Sequence, residues 1–166
     1  ESPISPSISA RGTMAATEGV TDQVVEVAAN GFERAGYAFV GWNTAADGSG
    51  QAYAAGAGYA LTAGDDALFA QWTPNDGTAY TVNHYKVNAA HTAATLDNAE
   101  NLNATTDAVV EATAQTIPGY TYQPLFDENG MKTVASGTVA GDGSLVLNLY
   151  YTPDADALAY HANGGQ

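Results

Sequence analysis

Short runs of alternating apolar and polar residues recur along the chain and predict β-strands. The runs at residues 24–27, 37–42 and 145–151 are rich in β-branched and aromatic side chains and are bounded by turn residues. Between such runs, the pairs Asp47-Gly48, Asn129-Gly130 and Asp142-Gly143 can supply the positive φ angles of tight turns. Residues 89–102 are also compatible with a helix, although their Thr, Asn and Asp content is poor for helix propagation. We therefore predict a mainly β fold, α+β at most.

Three sequence landmarks occur twice in the same order. The first set is Val24-Val25-Glu26, Gly36-Tyr37-Ala38-Phe39 and Gln71-Trp72-Thr73-Pro74, and the second is Val109-Val110-Glu111, Gly119-Tyr120-Thr121-Tyr122 and Tyr150-Tyr151-Thr152-Pro153. Their spacings drift by only a few residues, which is typical of two diverged copies of one unit. We predict a linker or expression remnant at residues 1–10, domains at 11–74 and 75–153, and at 154–166 a linker with the first strand of a further repeat.

Each Thr-Pro pair is followed by a predicted opening strand. The strand after the first pair covers residues 80–85, and the strand after the second runs from Leu158 to Asn163. No equivalent strand precedes Gly12, so the first domain is expected to expose an unpaired sheet edge. Residues 4–10 could fill that edge, but Pro3 and Pro6 remove ladder donors. The tail of a neighbouring molecule is then favoured, which predicts head-to-tail self-association through Leu158 to Asn163.

Two stretches of the chain resemble known families. Residues 32–50, FERAGYAFVGWNTAADGSG, with Tyr53 and the closing LFAQW at 68–72, closely resemble the internalin B-repeat, also called the Listeria/Bacteroides repeat. The ANGG at 162–165 is similar to the turn that ends the opening strand in that family. Residues 80–152 resemble, more loosely, the repeats of mucin-binding-type (MucBP-like) proteins through IPGYTY at 117–122 and SGT at 136–138. The resemblances imply two small tandem β-grasp-like (ubiquitin-like) domains of a bacterial surface protein that is extracellular and cell-wall associated.

The charge balance of the chain excludes two classes of partner. Its 166 residues hold 18 acidic and 4 basic side chains, giving a formal net charge of −14. Such a surface cannot neutralise many phosphates, so nucleic acid is not expected as a partner. No apolar run approaches the roughly 20 residues of a membrane span, so no membrane insertion is expected. Charged residues are scarce at 13%, which favours an extracellular protein, and cysteine is absent.

The sequence contains no recognisable catalytic or metal-binding pattern. His84, His91 and His161 lack the spacing of a ligand pair, and no nucleophile elbow, phosphate loop or dinucleotide fingerprint occurs. The carboxylates of Asp65-Asp66 and of Asp154 with Asp156 could hold a weak calcium ion, but surface Asp is more often simply solvated. We therefore predict a non-enzymatic protein with no catalytic, cofactor-binding or metal-binding residues and no cofactor.

Lys86 and Asn148 are the candidate pair for an intramolecular isopeptide bond. Such a bond needs both groups buried beside a protonated carboxyl, so that the amine is neutral and nucleophilic. The alternation of Leu145, Leu147 and Leu149 assigns these leucines to the core face and turns Asn148 outward, which argues against the bond. Among the aromatic residues, Trp42 and Trp72 are expected in the core, and adjacent Tyr150 and Tyr151 must point to opposite faces.

Taken with the resemblance, these patterns predict a repeat segment of a bacterial surface adhesin or stalk. Each domain would act as a spacer and as an adhesion surface for a host glycoprotein or glycan. The alternative is a dedicated mucin- or carbohydrate-binding module, which the resemblance of the second domain implies.

Overall fold

The structure, a computed structural model, describes residues 8–164 and contains only β-strands as regular elements in that range. The predicted mainly β fold is confirmed. The predictions that concern residues 1–7 and 165–166, including most of the proposed local donor at 4–10, lie outside the described residues. The strands are β1 Val24–Glu26, β2 Tyr37–Asn43, β3 Ala52–Tyr53, β4 Gly58–Ala60, β5 Phe69–Pro74, β6 Thr78–Val87, β7 Ala94–Ala104, β8 Val109–Glu111, β9 Tyr120–Tyr122, β10 Asp127–Glu128, β11 Met131–Lys132, β12 Ser136–Thr138 and β13 Val146–Pro153.

The helix that the sequence allowed at residues 89–102 does not form, because most of that segment belongs to β7. A tight connection turns the chain from β6 into β7: the Asn88 side-chain oxygen accepts hydrogen bonds from the backbone N–H groups of Thr92 and Ala93. His91 adopts a positive φ of 56° within this turn. Residues rich in Thr and Asn then pair along β6, where strand pairing outweighs local propensity.

Strands β1–β5, which we call the N-terminal strand set, form two small sheets. β1 pairs antiparallel with β4, and β3, β2 and β5 form a three-stranded sheet in that order. The ladder between β2 and β5 shifts register between Phe39 and Gly41, where Gly41 has a φ of 145°. Trp42 in β2 and Val27, directly after β1, are buried apolar residues, each 6% exposed. The expectation that Trp42 belongs to the core is confirmed, whereas Trp72 is only partly buried.

Strands β6–β13, the C-terminal strand set, contain a four-stranded sheet in the order β7-β6-β13-β9. β13 runs parallel to β6, from the pair Val146–Thr81 to the pair Tyr151–Lys86, and antiparallel to β9. The pairs β8–β12 and β10–β11 are two-stranded, and Asn129-Gly130 closes the β10–β11 hairpin with positive φ at both residues, as predicted. The side chains with at most 1% exposure in this sheet are Val82, His84, Val87, Leu147, Leu149 and Tyr151.

The ladder β2–β5 and the ladder β9–β13 have the same register. Tyr37, Ala38 and Phe39 pair with Pro74, Thr73 and Trp72, and Tyr120, Thr121 and Tyr122 pair with Pro153, Thr152 and Tyr151. The agreement continues one residue beyond each ladder. The Asn75 N–H donates to the Gly36 carbonyl, and the Asp154 N–H donates to the Gly119 carbonyl. Both glycines have a positive φ, 79° at Gly36 and 77° at Gly119.

The strand containing each Val-Val-Glu landmark is also held in the same way. The Asp22 N–H donates to the Leu61 carbonyl and the Asp107 N–H to the Val139 carbonyl. Both aspartates have positive φ, 63° and 66°. These shared hydrogen bonds support the proposal of two diverged copies.

The chain divides into two compact units whose bounds differ from the predicted domains. One unit contains the described residues up to Tyr80 together with Asn103–Val109 and Thr138–Leu145. The other contains Thr81–Leu102, Val110–Gly137 and the described residues from Val146 onward. The sequence placed the boundary near residue 74, and it gave no sign that two short segments of the second half would group with the first unit.

Candidate binding surfaces

Lys86 and Asn148 are not brought together, although they lie on neighbouring strands. In the parallel ladder Lys86 pairs with Tyr151, and Asn148 pairs with Asn83. Positions three apart on a strand point to opposite faces, so Lys86 shares a face with Tyr151 while Asn148 lies on the other. The Lys86 ammonium is 2.5 Å from an Asp97 carboxylate oxygen, and the Asn148 side-chain oxygen accepts a hydrogen bond from Asn83. This geometry does not permit the isopeptide bond.

A buried hydrogen-bond network surrounds His84. Its Nδ1 lies 2.7 Å from the Tyr151 hydroxyl, and its Nε2 lies 2.7 Å from Glu100 Oε1. The same hydroxyl accepts the Gln115 backbone N–H, so its own proton is free for His84 Nδ1 and the imidazole Nε2–H can donate to Glu100. Burial raises the pKa of Tyr151. Every buried polar side-chain atom among the described residues is satisfied, and this network stabilises the sheet instead of presenting a reactive group.

The other two histidines also lie apart from any such cluster. His91 Nδ1 is 2.8 Å from a Glu128 carboxylate oxygen, and its ring packs edge-on to Phe126. His161 is exposed in the tail. Within residues 8–164 no three His, Cys, Asp or Glu side chains are grouped so that they could hold a metal ion.

Two of the aspartates considered for calcium, Asp66 and Asp154, accept hydrogen bonds from nearby groups. Asp66 accepts hydrogen bonds from the Thr62 backbone and hydroxyl and from the Tyr59 hydroxyl, and these bonds hold its pKa below the ordinary value. Asp154 accepts a hydrogen bond from the Thr121 hydroxyl. Thr62 lies four residues before Asp66 in the chain, whereas Thr121 lies on β9, so each of these two carboxylates is already hydrogen-bonded within the protein.

The aspartates of the two Asp-Gly-Ser turns behave alike. Asp47 Oδ1 accepts the Ser49 backbone N–H, and Asp142 Oδ1 accepts the Ser144 backbone N–H, each at 3.0 Å. In both cases the serine donor lowers the pKa of the aspartate. The geometry is that of Asx-turns, in agreement with the prediction that these segments are turns.

An apolar cavity of about 260 Å³ lies beside Trp42 in the N-terminal strand set. The Trp42 indole N–H donates to the Ala28 carbonyl, so the ring is fixed in place while one side of it lines the cavity. Two acidic residues, Glu26 and Asp66, also line the cavity. The remaining lining is mostly apolar and consists of Met14, Ala15, Ala16, Thr17, Val25, Val27, Ala28, Phe32, Tyr59, Leu61, Ala67 and Leu68.

A second recess, of about 340 Å³, combines aromatic rings with both arginines of the chain. Trp72 and Phe39 pack edge to face at 5.8 Å, and the Arg34 guanidinium lies 3.6 Å from the centre of the Tyr37 ring. Arg11 also lines the recess. We call these residues the arginine recess. The recess was not predicted from the sequence, although one signal for it exists: Arg11 and Arg34 are the only arginines in a chain of net charge −14.

The outer edge of β5 presents backbone groups without a neighbouring strand among the described residues. In an antiparallel ladder, successive residues direct their N–H and C=O groups alternately to the partner and away from it. The Asn75 N–H donates to the Gly36 carbonyl, so Asn75 and, two residues earlier, Thr73 direct their backbone groups toward β2. Trp72 and, beyond the register shift, Ala70 therefore direct their N–H and C=O groups outward. The corresponding outer edge of β13 is occupied by β6.

Comparison with known proteins gives one distant relative. The chain is 29% identical over 126 residues, 67% of its length, to a protein of Evansella cellulosilytica named "Putative membrane protein". The chain spans about a fifth, 19%, of the length of that relative. No family model matches the chain, and no solved structure matches it. Among the described residues no helix is long and apolar enough to cross a membrane.

Proposed function

We propose that this chain is a non-enzymatic segment of a bacterial surface adhesin or stalk, which carries tension and presents an adhesion surface outside the cell, at the cell wall. The resemblance to internalin B-repeats and MucBP-like repeats suggests this function, and similarity to a short part of a much longer bacterial protein is compatible with it. The low content of charged residues and the absence of cysteine fit the same setting.

The parallel pairing of β6 with β13 is the observation that carries the proposal. β6 and β13 are the first and last strands of the C-terminal strand set, and six consecutive residue pairs join them. When the chain is pulled from its two ends, tension enters β6 at its start and leaves β13 at its end. Because the strands are parallel, these points are at opposite ends of the ladder, so all its hydrogen bonds are sheared together.

Single-molecule pulling with two attachment geometries tests the mechanical role. The chain has no cysteine, so engineered pairs define the pulling points. Gly77→Cys with Ala155→Cys shears the β6–β13 ladder, whereas Ala90→Cys with Ala155→Cys opens it from one end. All three positions are exposed. Forced unfolding is governed by the unfolding barrier, so we expect a clearly higher rupture force for the first pair. Equal forces would contradict a tension-bearing role.

The alternative, a mucin- or carbohydrate-binding module, is favoured by the arginine recess. Aromatic rings provide a stacking surface for sugars, and guanidinium groups bind carboxylates and sulfates in two-pronged hydrogen bonds. Two arginines face one carboxylate residue, Glu33, in the lining, so an acidic glycan is the ligand class that this recess fits. Saturable binding of the full chain on an array of sialylated and sulfated glycans would support the alternative if Arg34→Gln abolishes it. Lys132→Gln is the matched control, because Lys132 is an exposed cation that does not line the recess.

A further inference from the structure

We propose that the outer edge of β5 binds residues 158–162 of a second copy of this chain, which add to the sheet as a parallel strand. The contact would join the tail of one molecule to the N-terminal strand set of the next. Donor and acceptor surfaces differ, so the association is head-to-tail and can continue from molecule to molecule. This inference does not depend on the adhesive or mechanical role.

The two strand sets contain matching ladders but differ in what borders one strand of each ladder. β5 and β13 each pair antiparallel with the strand that contains the Gly-Tyr landmark, in the same register. β13 has β6 on its other side, but β5 has no strand there among the described residues. A strand added to β5 in the manner of β6 would therefore complete the same arrangement, by β-augmentation.

Burial of the equivalent aromatic residues reflects this difference. Tyr151 of β13 is 0% exposed, and its hydroxyl bonds to His84 of the neighbouring β6. Trp72, which holds the same register position in β5, remains partly exposed, and Phe69 at the start of β5 is 42% exposed. A strand on the outer edge would cover apolar surface at β5 as well as pair its outward N–H and C=O groups.

The tail has the properties of a strand that is not paired within its own chain. Residues 158–162 belong to no strand, and Leu158 and Tyr160 are 78% and 87% exposed. In an extended conformation Leu158, Tyr160 and Ala162 would share one face. In β6, the alternate residues Tyr80, Val82 and His84 similarly share a buried face. The tail can therefore present an apolar face like that of β6.

The open edge of the other large sheet is a poorer acceptor. β7 forms an outer edge of the four-stranded sheet, and its central residues include Asp97, Asn98, Glu100 and Asn101. Charged side chains on an edge strand oppose the addition of another strand. β5 has no charged residue in its sequence FAQWTP. The outer edge of β5 is therefore the favoured acceptor.

Sedimentation equilibrium of the full chain with proline variants in the tail tests the contact. In a β-strand alternate N–H groups face the partner, so either Ala159→Pro or Tyr160→Pro must remove a donor from the added strand. The matched control is Ala155→Pro, which lies outside the proposed strand. Because this part of the tail is unpaired in the single chain, none of these changes should unfold the protein. We expect concentration-dependent association of the unchanged chain and of Ala155→Pro, and its loss in at least one of the other two variants.

Amide hydrogen exchange locates the acceptor edge. The N–H groups of Ala70 and Trp72 should become protected as the protein concentration rises, and Tyr160→Pro or Ala159→Pro should remove that protection. Raised salt should strengthen the association, since it screens repulsion between chains of net charge −14.

Several outcomes would overturn the proposal. These are a chain that stays monomeric at every accessible concentration, association that survives both tail prolines, and new protection on β7 instead of β5. Association that weakens with salt would also overturn it, because that result indicates a charge-driven contact elsewhere.

Discussion

Trp72 and Tyr151 hold the same register position in two ladders, yet only Tyr151 is fully buried. Each residue pairs with the last aromatic residue of a Gly-Tyr landmark, Phe39 and Tyr122 respectively. The difference arises on the other side, where β6 covers Tyr151 and bonds its hydroxyl through His84. No strand among residues 8–164 covers Trp72 in this way, so the environment of the aromatic residue differs while the ladder that holds it is the same.

Replacing Trp42 by Ala should destabilise the N-terminal strand set severely. The indole is 6% exposed, packs edge-on to Phe32 and Phe39 and donates to the Ala28 carbonyl. Removal of a buried large aromatic side chain costs roughly 3–5 kcal/mol. Urea unfolding followed by circular dichroism measures the loss. Trp42→Phe should retain much of the packing and lose less; an equal loss in both variants would mean that the indole N–H, not the ring, is decisive.

Tyr151→Phe and Tyr150→Phe form a matched pair that tests the buried network. The first change leaves the Gln115 N–H and His84 Nδ1 without their shared partner, and burial of unpaired polar groups costs about 1–3 kcal/mol. Tyr150 lies on the opposite face, stacked on Tyr85 and Phe126. Its replacement by Phe keeps this stacking, so the free energy of unfolding should hardly change. A comparable loss in Tyr150→Phe would show that the network contributes little.

Gly36→Ala should be more destabilising than Gly119→Ala, although the two glycines occupy equivalent positions. Their φ angles of 79° and 77° lie in a region that costs a residue with a Cβ roughly 1–2 kcal/mol. A Cβ on Gly36 would also collide with the backbone of Gly141, whereas nothing lies within 4 Å of a Cβ on Gly119. Thermal unfolding of the two variants should therefore separate the backbone cost from the steric cost. Equal midpoints would contradict the close approach at Gly36.

Stability should depend on pH through two opposing effects. As the pH falls from neutrality toward the pI near 4.1, the net negative charge decreases and its self-repulsion with it, so stability should rise. Asp47, Asp66 and Asp142 have pKa values below the ordinary 3.8 because they accept hydrogen bonds. Their contribution is fully present above 3.8 and is lost as the pH falls through the lowered values. Urea midpoints should thus pass through a maximum above pH 3.8 and fall below it, and Asp66→Asn should flatten the acid side.

The intact mass of the folded protein should equal that of its sequence. Formation of a Lys–Asn isopeptide bond releases one ammonia, and Lys86 and Asn148 lie on opposite faces of the sheet. Mass spectrometry of the protein and of Lys86→Arg checks this directly. A mass lower by one ammonia in the unchanged chain, absent in Lys86→Arg, would contradict the register of β6 and β13.

The sequence by itself determined the features that depend on local pattern. Alternation of apolar and polar residues identified the central strands, and Asn129-Gly130 identified the hairpin turn, because side-chain period and turn chemistry act over a few residues. Adjacent Tyr150 and Tyr151 had to face opposite ways, and Tyr151 is indeed the fully buried one. The burial of Trp42 also followed from its alternating apolar neighbours.

Only the tertiary structure decided which strands became neighbours. Residues 89–102 lacked a clear period, and the Asn88 turn and pairing with β6 made most of them a strand. The sequence placed Lys86 and Asn148 on adjacent strands and turned Asn148 outward, but only the register of β6 and β13 showed that Lys86 lies on the other face. The arginine recess likewise brings together Arg11, Arg34 and Trp72, which are far apart along the chain. The physical reason is common to all three: pairing and packing join distant segments, and a short window of sequence contains only one side of each contact.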